Sequence, residues 1–71
     1  MSEWWPLKRY DFEDREVKIS RSRCALRKWK VETYYKYGET KALETEDEKD
    51  AWHRFCNECA AAIYDMEARR T

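Results

Sequence analysis

Residues 45–70, TEDEKDAWHRFCNECAAAIYDMEARR, carry the most regular pattern in the chain and decide its fold. From Trp52 onward, apolar side chains recur at steps of four, three, four and three residues, the repeat of one α-helix face. This apolar stripe consists of Trp52, Cys56, Cys59, Ile63 and Met66. Since no glycine or proline interrupts the segment, the sequence predicts a long amphipathic helix over 45–70.

Charged residues mark both ends of the predicted helix. Thr45 and Glu48 have the spacing of a capping box, in which the hydroxyl accepts from a first-turn amide and the carboxylate reaches back. Carboxylates gather in the first turn, and Arg69 and Arg70 close the last turn, as the helix dipole favours. The face opposite the stripe is expected to meet solvent. It carries His53, Arg54, Asn57, Glu58, Asp65 and Glu67.

This helix is long for the size of the chain. Its 26 residues span about 39 Å, whereas a compact chain of this length has a radius of gyration of about 11 Å. One end is therefore expected to project or to bend. The stripe is interpreted as core, and a homodimer through the C-terminal helix is the alternative interpretation.

Length and composition predict one small domain, 1–71, with a thin core. Four Trp, five Tyr and two Phe supply much of its apolar area, and a single Gly and a single Pro argue against a turn-rich sandwich or barrel. No apolar run approaches the roughly 20 residues of a membrane span, and no signal-peptide pattern opens the chain. Three cysteines without a disulfide spacing suit a reducing compartment. We expect a cytoplasmic protein without a membrane partner.

The formal charge is zero, but the charges are segregated along the chain. Residues 15–30 hold seven cations against one carboxylate, and residues 39–50 hold six carboxylates against two lysines. One basic and one acidic surface are therefore expected. Helix capping and solvation explain the acidic run, and mimicry of a phosphate backbone is the alternative.

The N-terminal segment 1–12 is predicted to be extended, because Pro6 disfavours helix at Trp5. Adjacent residues of an extended segment point to opposite sides, so Trp4 and Trp5 cannot both enter a thin core. One indole is expected to cap the core. The other is a candidate interface anchor, since Trp and Arg dominate interface hot spots.

The segment 15–38 is predicted to form a β-hairpin. Apolar and polar residues alternate weakly around Val17 and Ile19 and clearly from Trp29 to Tyr37, with strong strand formers at period two. Arg21 and Arg23 break the first alternation, so the strand either ends there or contains a bulge.

A competing interpretation makes 12–30 a helix, because Phe12, Ile19 and Leu26 are spaced by sevens. We favour the hairpin, with its turn near 23–26. The expected fold is α+β: a small antiparallel β-hairpin or sheet of two or three strands packed against one long C-terminal amphipathic helix.

The hairpin and the N-terminus supply the candidate binding residues. Cations that meet phosphates, beside rings that stack on bases, are typical of single-strand and RNA platforms. On a strand, however, most of these rings and lysines fall on opposite faces, which also fits a half-buried sheet with a solvated face. The candidates are Trp4, Trp5, Arg21, Arg23, Arg27, Lys28, Lys30, Tyr34 and Lys36.

A zinc site is the weaker chemical candidate. His53, Cys56 and Cys59 lie three residues apart, and Cys24 is a conceivable fourth ligand. The Cys-x-x-Cys pair has no glycine and lies in mid-helix on the apolar stripe, where free cysteines behave as small hydrophobes. We therefore expect core cysteines and no metal or other cofactor. Catalysis is not expected, because the single histidine lacks a triad pattern and no glycine-rich phosphate loop is present.

No sequence motif identifies a family. In small size, high charge, aromatic content and lack of a catalytic set, the chain resembles the small proteins that phages and mobile elements make to block a host machine, anti-CRISPR proteins among them. This resemblance in kind implies a non-catalytic inhibitor or adaptor that docks on a host protein or nucleoprotein complex. A small RNA- or DNA-binding module using the hairpin is the alternative, and a zinc-binding domain is a second one.

Overall fold

The structure, a computed structural model, describes residues 3–24 and 27–70. Four antiparallel strands form one sheet in the order β1-β2-β3-β4, and a C-terminal helix packs on one face of it. The elements are β1 (Trp4–Asp11), β2 (Arg15–Ser22), β3 (Trp29–Tyr35), β4 (Thr40–Thr45) and α1 (Glu48–Arg70). The predicted α+β class is confirmed. Residues 1, 2, 25, 26 and 71 of the predicted segments lie outside the described residues.

The predicted hairpin is confirmed, and the helical alternative for 12–30 is wrong. β2 pairs with β3 in unbroken antiparallel register from Arg15↔Tyr35 to Arg21↔Trp29. β2 therefore runs through Arg21 without a bulge. The Arg21 side chain is exposed because it lies beyond the end of the core. β3 ends at Tyr35, three residues before the predicted end of the hairpin at residue 38.

The N-terminal segment is more than extended, because it is the first edge strand. β1 pairs with β2 along its length, and the register shifts between Pro6 and Lys8, which leaves Leu7 without a partner. A proline has no amide to donate, so an edge strand beside a bulge suits Pro6.

β4 is the element that the sequence did not reveal. Thr40–Thr45 pairs with β3 in regular register, so the predicted helix start at Thr45 is wrong. Asp47 is the true N-cap: its carboxylate accepts from the Lys49 amide at 3.0 Å and from the Asp50 amide at 3.4 Å. The Thr45 hydroxyl instead accepts from the Asp47 amide at 3.2 Å within the turn that enters the helix.

The core lies between α1 and strands β2 and β3. Its buried members are Val17, Ile19, Trp29, Val31, Ala51 and Phe55. Tyr10 of β1 stacks on the Phe55 ring at 6.0 Å, and Trp52 meets the same ring edge-on at 5.9 Å. Each fully buried Val or Ile contributes about 1.5–3 kcal/mol, so this small set of side chains carries the fold.

The predicted phase of the helix is wrong by about one position. Ala51, Phe55 and Ala62 are buried, whereas Cys56 is exposed and Ile63 is 45% exposed. Trp52, Cys59 and Met66 are half-buried at the margin. This rotation is matched on the sheet, where Arg15 and Thr33 face the second half of α1 and hydrogen-bond to carboxylate partners there.

Those partners are Glu58 and Asp65, which were predicted to meet solvent. The Thr33 hydroxyl donates to the Glu58 carboxylate at 2.9 Å, and Arg15 donates to Asp65 at 2.8 Å. Arg69, in the last turn, lies 3.3 Å from Asp14. α1 is therefore anchored to the sheet up to its final turn and does not project as a free rod.

Candidate functional site

α1 covers one face of the sheet and leaves the other face to solvent. Val17, Ile19 and Val31 point into the core, so their sequence neighbours on β2 and β3 point away from α1. The register extends this face to β1 and β4. We call it the open face, and it consists of Trp4, Pro6, Arg9, Asp11, Glu16, Lys18, Ser20, Ser22, Lys30, Glu32, Tyr34, Thr40, Ala42 and Glu44.

Two lysines of the open face lie over aromatic rings. The Lys30 ammonium is 4.4 Å from the centroid of the Trp4 ring, and the Lys18 ammonium is 5.6 Å from that of Tyr34. Both distances are within the range of cation–π attraction. On the same face, Ser20 is only 1% exposed although no helix covers it, and its cross-strand neighbours are Pro6 and Lys30.

Glu32 lies between these lysines and is only 9% exposed. Its carboxylate is 3.8 Å from the ammonium groups of both Lys18 and Lys30, and it accepts a hydrogen bond from the Tyr34 hydroxyl. That hydrogen bond, with burial, raises the pKa of Tyr34 to about 12. The open face thus has a central carboxylate that holds two cations and a phenol in place.

Trp5 lies on the side of the sheet opposite to Trp4, as the alternation predicted. It is 57% exposed, it is the cross-strand partner of Arg21, and the Arg23 guanidinium lies 5.4 Å from its ring. The Arg23 amide donates to the Glu3 carbonyl at 2.8 Å and so ties the start of β1 to the β2–β3 turn. We call Trp5, Arg21 and Arg23 the Trp5 cluster.

The remaining predicted binding residues lie apart from these two groups. Lys28 forms an ion pair with Glu44 at 3.3 Å, and Arg27 is exposed in the β2–β3 turn, with φ of 60°. Lys36 lies at the other end of the sheet, where its amide donates to the Asp14 carbonyl at 3.0 Å. The structure therefore brings together Trp4, Lys30 and Tyr34 in one group and Trp5, Arg21 and Arg23 in another.

Three residues of the open face, Trp4, Lys30 and Tyr34, were predicted as binding residues, whereas Lys18 and Glu32, which contact them, were not. Lys18 and Glu32 occupy polar positions in the alternation of β2 and β3, which alone gives them no special role. Their position beside Lys30 follows from the pairing Lys18↔Glu32, which depends on the β2–β3 register. A tight two-residue turn sets the register of a hairpin from sequence, but the longer connection here does not.

Charge separates the molecule into two parts. Residues 3–24 and 27–36, which form β1 to β3, hold ten cations against six carboxylates. Residues 37–70, which form β4 and α1, hold five cations against nine carboxylates. An anionic ligand is therefore attracted to the first three strands and repelled from the side of α1.

The predicted core role is wrong for Cys56, whereas Cys59 packs partly buried against the core. Cys24 and Cys56 are exposed and Cys59 is half-buried. Burial, followed by Cys56 and Glu58, raises the pKa of the Cys59 thiol, so the reactive thiolate is disfavoured there. Across residues 3–24 and 27–70, no three His, Cys, Asp or Glu side chains are grouped so as to hold a metal ion.

A groove of about 310 Å³ lies between β4 and α1. Val31 and Leu43 form its apolar floor, and Lys41, Arg54 and Glu58 stand at its sides. Within the described part of the chain, no helix is long and apolar enough to cross a membrane. Comparisons with family models, with curated proteins and with solved structures find no match to this chain.

Proposed function

We propose that this protein is a non-catalytic binding module whose ligand is single-stranded nucleic acid, held on the open face of the sheet. The observation that carries the proposal is the pair of lysine-capped rings, Lys30 over Trp4 at 4.4 Å and Lys18 over Tyr34 at 5.6 Å. Both rings and both cations lie on the face that α1 leaves free. The main objection from the strand pattern, that rings and lysines fall on opposite faces, does not apply to these four residues.

On binding, a base would replace the lysine ammonium group on each aromatic ring. A base needs a free aromatic face, which the ammonium group now occupies, and a phosphate needs a cation nearby. When a base stacks on Trp4, the flexible Lys30 side chain moves its ammonium group from the ring to the adjoining phosphate. Stacking contributes about 1–3 kcal/mol per base. A duplex keeps its bases stacked internally, so this exchange selects single strands.

The surrounding charges set the orientation of the strand and limit its affinity. The excess of cations on β1 to β3 draws the phosphates away from the acidic α1. The open face itself carries no excess of cations, because Arg9, Lys18 and Lys30 are offset by four carboxylates, Asp11, Glu16, Glu32 and Glu44. We therefore expect a moderate affinity for single strands, which depends more on stacking than the affinity of a purely basic surface does.

The test is fluorescence anisotropy with a labelled oligo-dT strand, titrated at several salt concentrations. Trp4→Ala should weaken binding at least about tenfold, the loss of one stacked base. Lys30→Ala should weaken binding and lower its salt dependence, because one phosphate contact is lost. Tyr64→Ala removes a ring that is 73% exposed on α1 and serves as the matched control. Equal binding of the Trp4→Ala variant and the wild type, or equal affinity for a duplex, would overturn the proposal.

A second candidate function is docking on a host protein as an inhibitor or adaptor. The Trp5 cluster favours it, because an indole that is 57% exposed between two arginines has the composition of an interface hot spot. The two functions can be distinguished by the substitution that abolishes binding and by the effect of salt on affinity. Protein docking should be lost in Trp5→Ala and survive both nuclease and high salt, whereas nucleic-acid binding should be lost in Trp4→Ala and weaken steeply with salt.

A further inference from the structure

The two edges of the sheet are protected to different degrees. On β1, Pro6 lacks an amide donor, and the register shift at Leu7 interrupts the regular edge. β4 contains neither device, since its six residues pair with β3 in regular register. In an antiparallel strand, alternate residues direct their N–H and C=O groups away from the neighbouring strand, so β4 presents an unblocked edge.

Lysine is the residue that most often protects an exposed strand edge, but the lysine of β4 does not extend along this edge. Lys41 lies on the α1 side of the sheet, with its ammonium group 5.8 Å from the Tyr35 ring. Leu43 lies on the same side of β4, is only half-buried and borders the open groove between β4 and α1. The edge thus combines free backbone groups with an incompletely covered leucine.

We propose that a second copy of this chain pairs with β4 along its edge, so that two sheets join into one of eight strands. A two-fold axis normal to the sheet makes the two β4 strands antiparallel and keeps both helices on the same face. Side chains directly opposite one another must then share a face, which limits the pairing to residues of the same parity. The register that we propose places Leu43 opposite Leu43 of the second copy.

This register suits the side chains of β4. The two leucines cover each other at the axis, and Lys41 meets Thr45 of the second copy, so no like charges stand directly opposite. Glu44 lies diagonally across from Glu44 of the second copy, but each of these carboxylates already forms an ion pair with Lys28 of its own chain at 3.3 Å. The alternative register would place Ala42 opposite Ala42 of the second copy. Each Leu43 would then lie opposite a Lys41, and the two Lys41 side chains would lie diagonally across from each other.

Leu43 gives a charge test of both the interface and its register. Sedimentation equilibrium of the wild type should show the mass rising from 8.8 kDa toward twice that value as protein concentration increases. Leu43→Lys and Leu43→Glu should each remain monomeric, because each places like charges opposite one another. Their equimolar mixture should regain the dimer, since only residue 43 is its own partner in this register.

Leu7→Lys and Leu7→Glu are the matched controls, because Leu7 is 39% exposed on the guarded edge. Both should dimerise like the wild type. In the wild type alone, amide exchange in β4 should slow as concentration rises while exchange in β1 does not, a measurement that requires no variant to fold. A monomer at every concentration, or a mixture that stays monomeric, would overturn the proposal. The test contains no nucleic acid, so its result is independent of the proposed function.

Discussion

The guanidinium of Arg15 donates to the carboxylate of Asp65 at 2.8 Å and joins the start of β2 to the last third of α1, fifty residues away. Arg15 is 5% exposed, although it is one of the longest and most polar side chains in the chain. It also donates to Asp14 at 2.9 Å and lies 4.8 Å from the Tyr35 ring. Asp14 in turn meets Arg69, so alternating charges fasten the end of the helix.

Replacing Arg15 should destabilise the domain. Arg15→Met keeps much of the buried stem but leaves Asp14 and Asp65 without their partner. Both carboxylates are partly exposed and recover some hydration, so we expect a loss of about 2 kcal/mol in the free energy of unfolding, less than for a fully buried pair. Urea denaturation measures it. Glu67→Gln removes an exposed charge from the same helix and should change stability by less than about 0.5 kcal/mol.

The same network makes the free energy of unfolding depend on pH in the acid range. The hydrogen bond from Arg15, together with the charges of Arg15 and Arg69, holds the pKa of Asp14 below its usual range despite some opposing burial. A lowered folded-state pKa stabilises the fold above the unfolded value of about 4, and this contribution is lost as pH falls through the folded value. The urea midpoint of wild type should therefore drop below about pH 4 more steeply than that of Asp14→Asn. Parallel profiles for the two proteins would contradict this.

The burial of α1 predicts opposite outcomes for two adjacent residues. Ala62 is fully buried, so Ala62→Asp places a carboxylate in the core and should unfold so small a domain. Ile63 is 45% exposed, so Ile63→Asp should keep the fold and cost about 1 kcal/mol or less. Far-UV circular dichroism and urea denaturation distinguish them. The reverse order of stability would show that the apolar stripe predicted from the sequence is the true buried face.

This pair of residues also shows why the sequence predicted the helix but not its rotation. The spacing of apolar residues locates a stripe, and Trp52, Cys59 and Ile63 belong to it. It does not reveal that Arg15 and Thr33 on the sheet hydrogen-bond to Asp65 and Glu58 on the polar edge of α1. Such pairs are many residues apart in sequence, and no local pattern records them.

β4 was missed for a different reason. Thr40–Thr45 is short, contains a single large apolar residue, Leu43, and lies directly before a strong helix signal. Its alternation is weak because, as an edge strand, it is only partly covered by α1. The open face was half predictable in the same sense: the rings and lysines of the hairpin were visible, but their grouping depended on the register and on a β1 partner.

Tyr34 gives a spectroscopic check of the open face. Its hydroxyl donates to Glu32, and this raises its pKa to about 12. The raised value favours the folded state below the unfolded pKa of about 10, and the contribution is lost as pH rises through the folded value. The alkaline difference spectrum of wild type against Tyr34→Phe should show a phenolate transition near 12. A transition near 10 would mean that the hydrogen bond to Glu32 is absent in solution.

Glu32 offers the sharpest test of how the open face would bind a nucleic acid, because its removal should strengthen binding. Its carboxylate lies 3.8 Å from both Lys18 and Lys30 and competes with phosphates for them. Glu32→Gln keeps the shape and a hydrogen-bond acceptor for Tyr34, but it frees the two ammonium groups. We expect oligo-dT affinity to rise about three- to tenfold, the effect of one nearby unit charge, with a steeper salt dependence. Glu67→Gln makes the same change in net charge on the far side of α1 and should leave affinity nearly unchanged. If both variants gain equally, net charge alone governs binding, and the arrangement around Glu32 has no part in it.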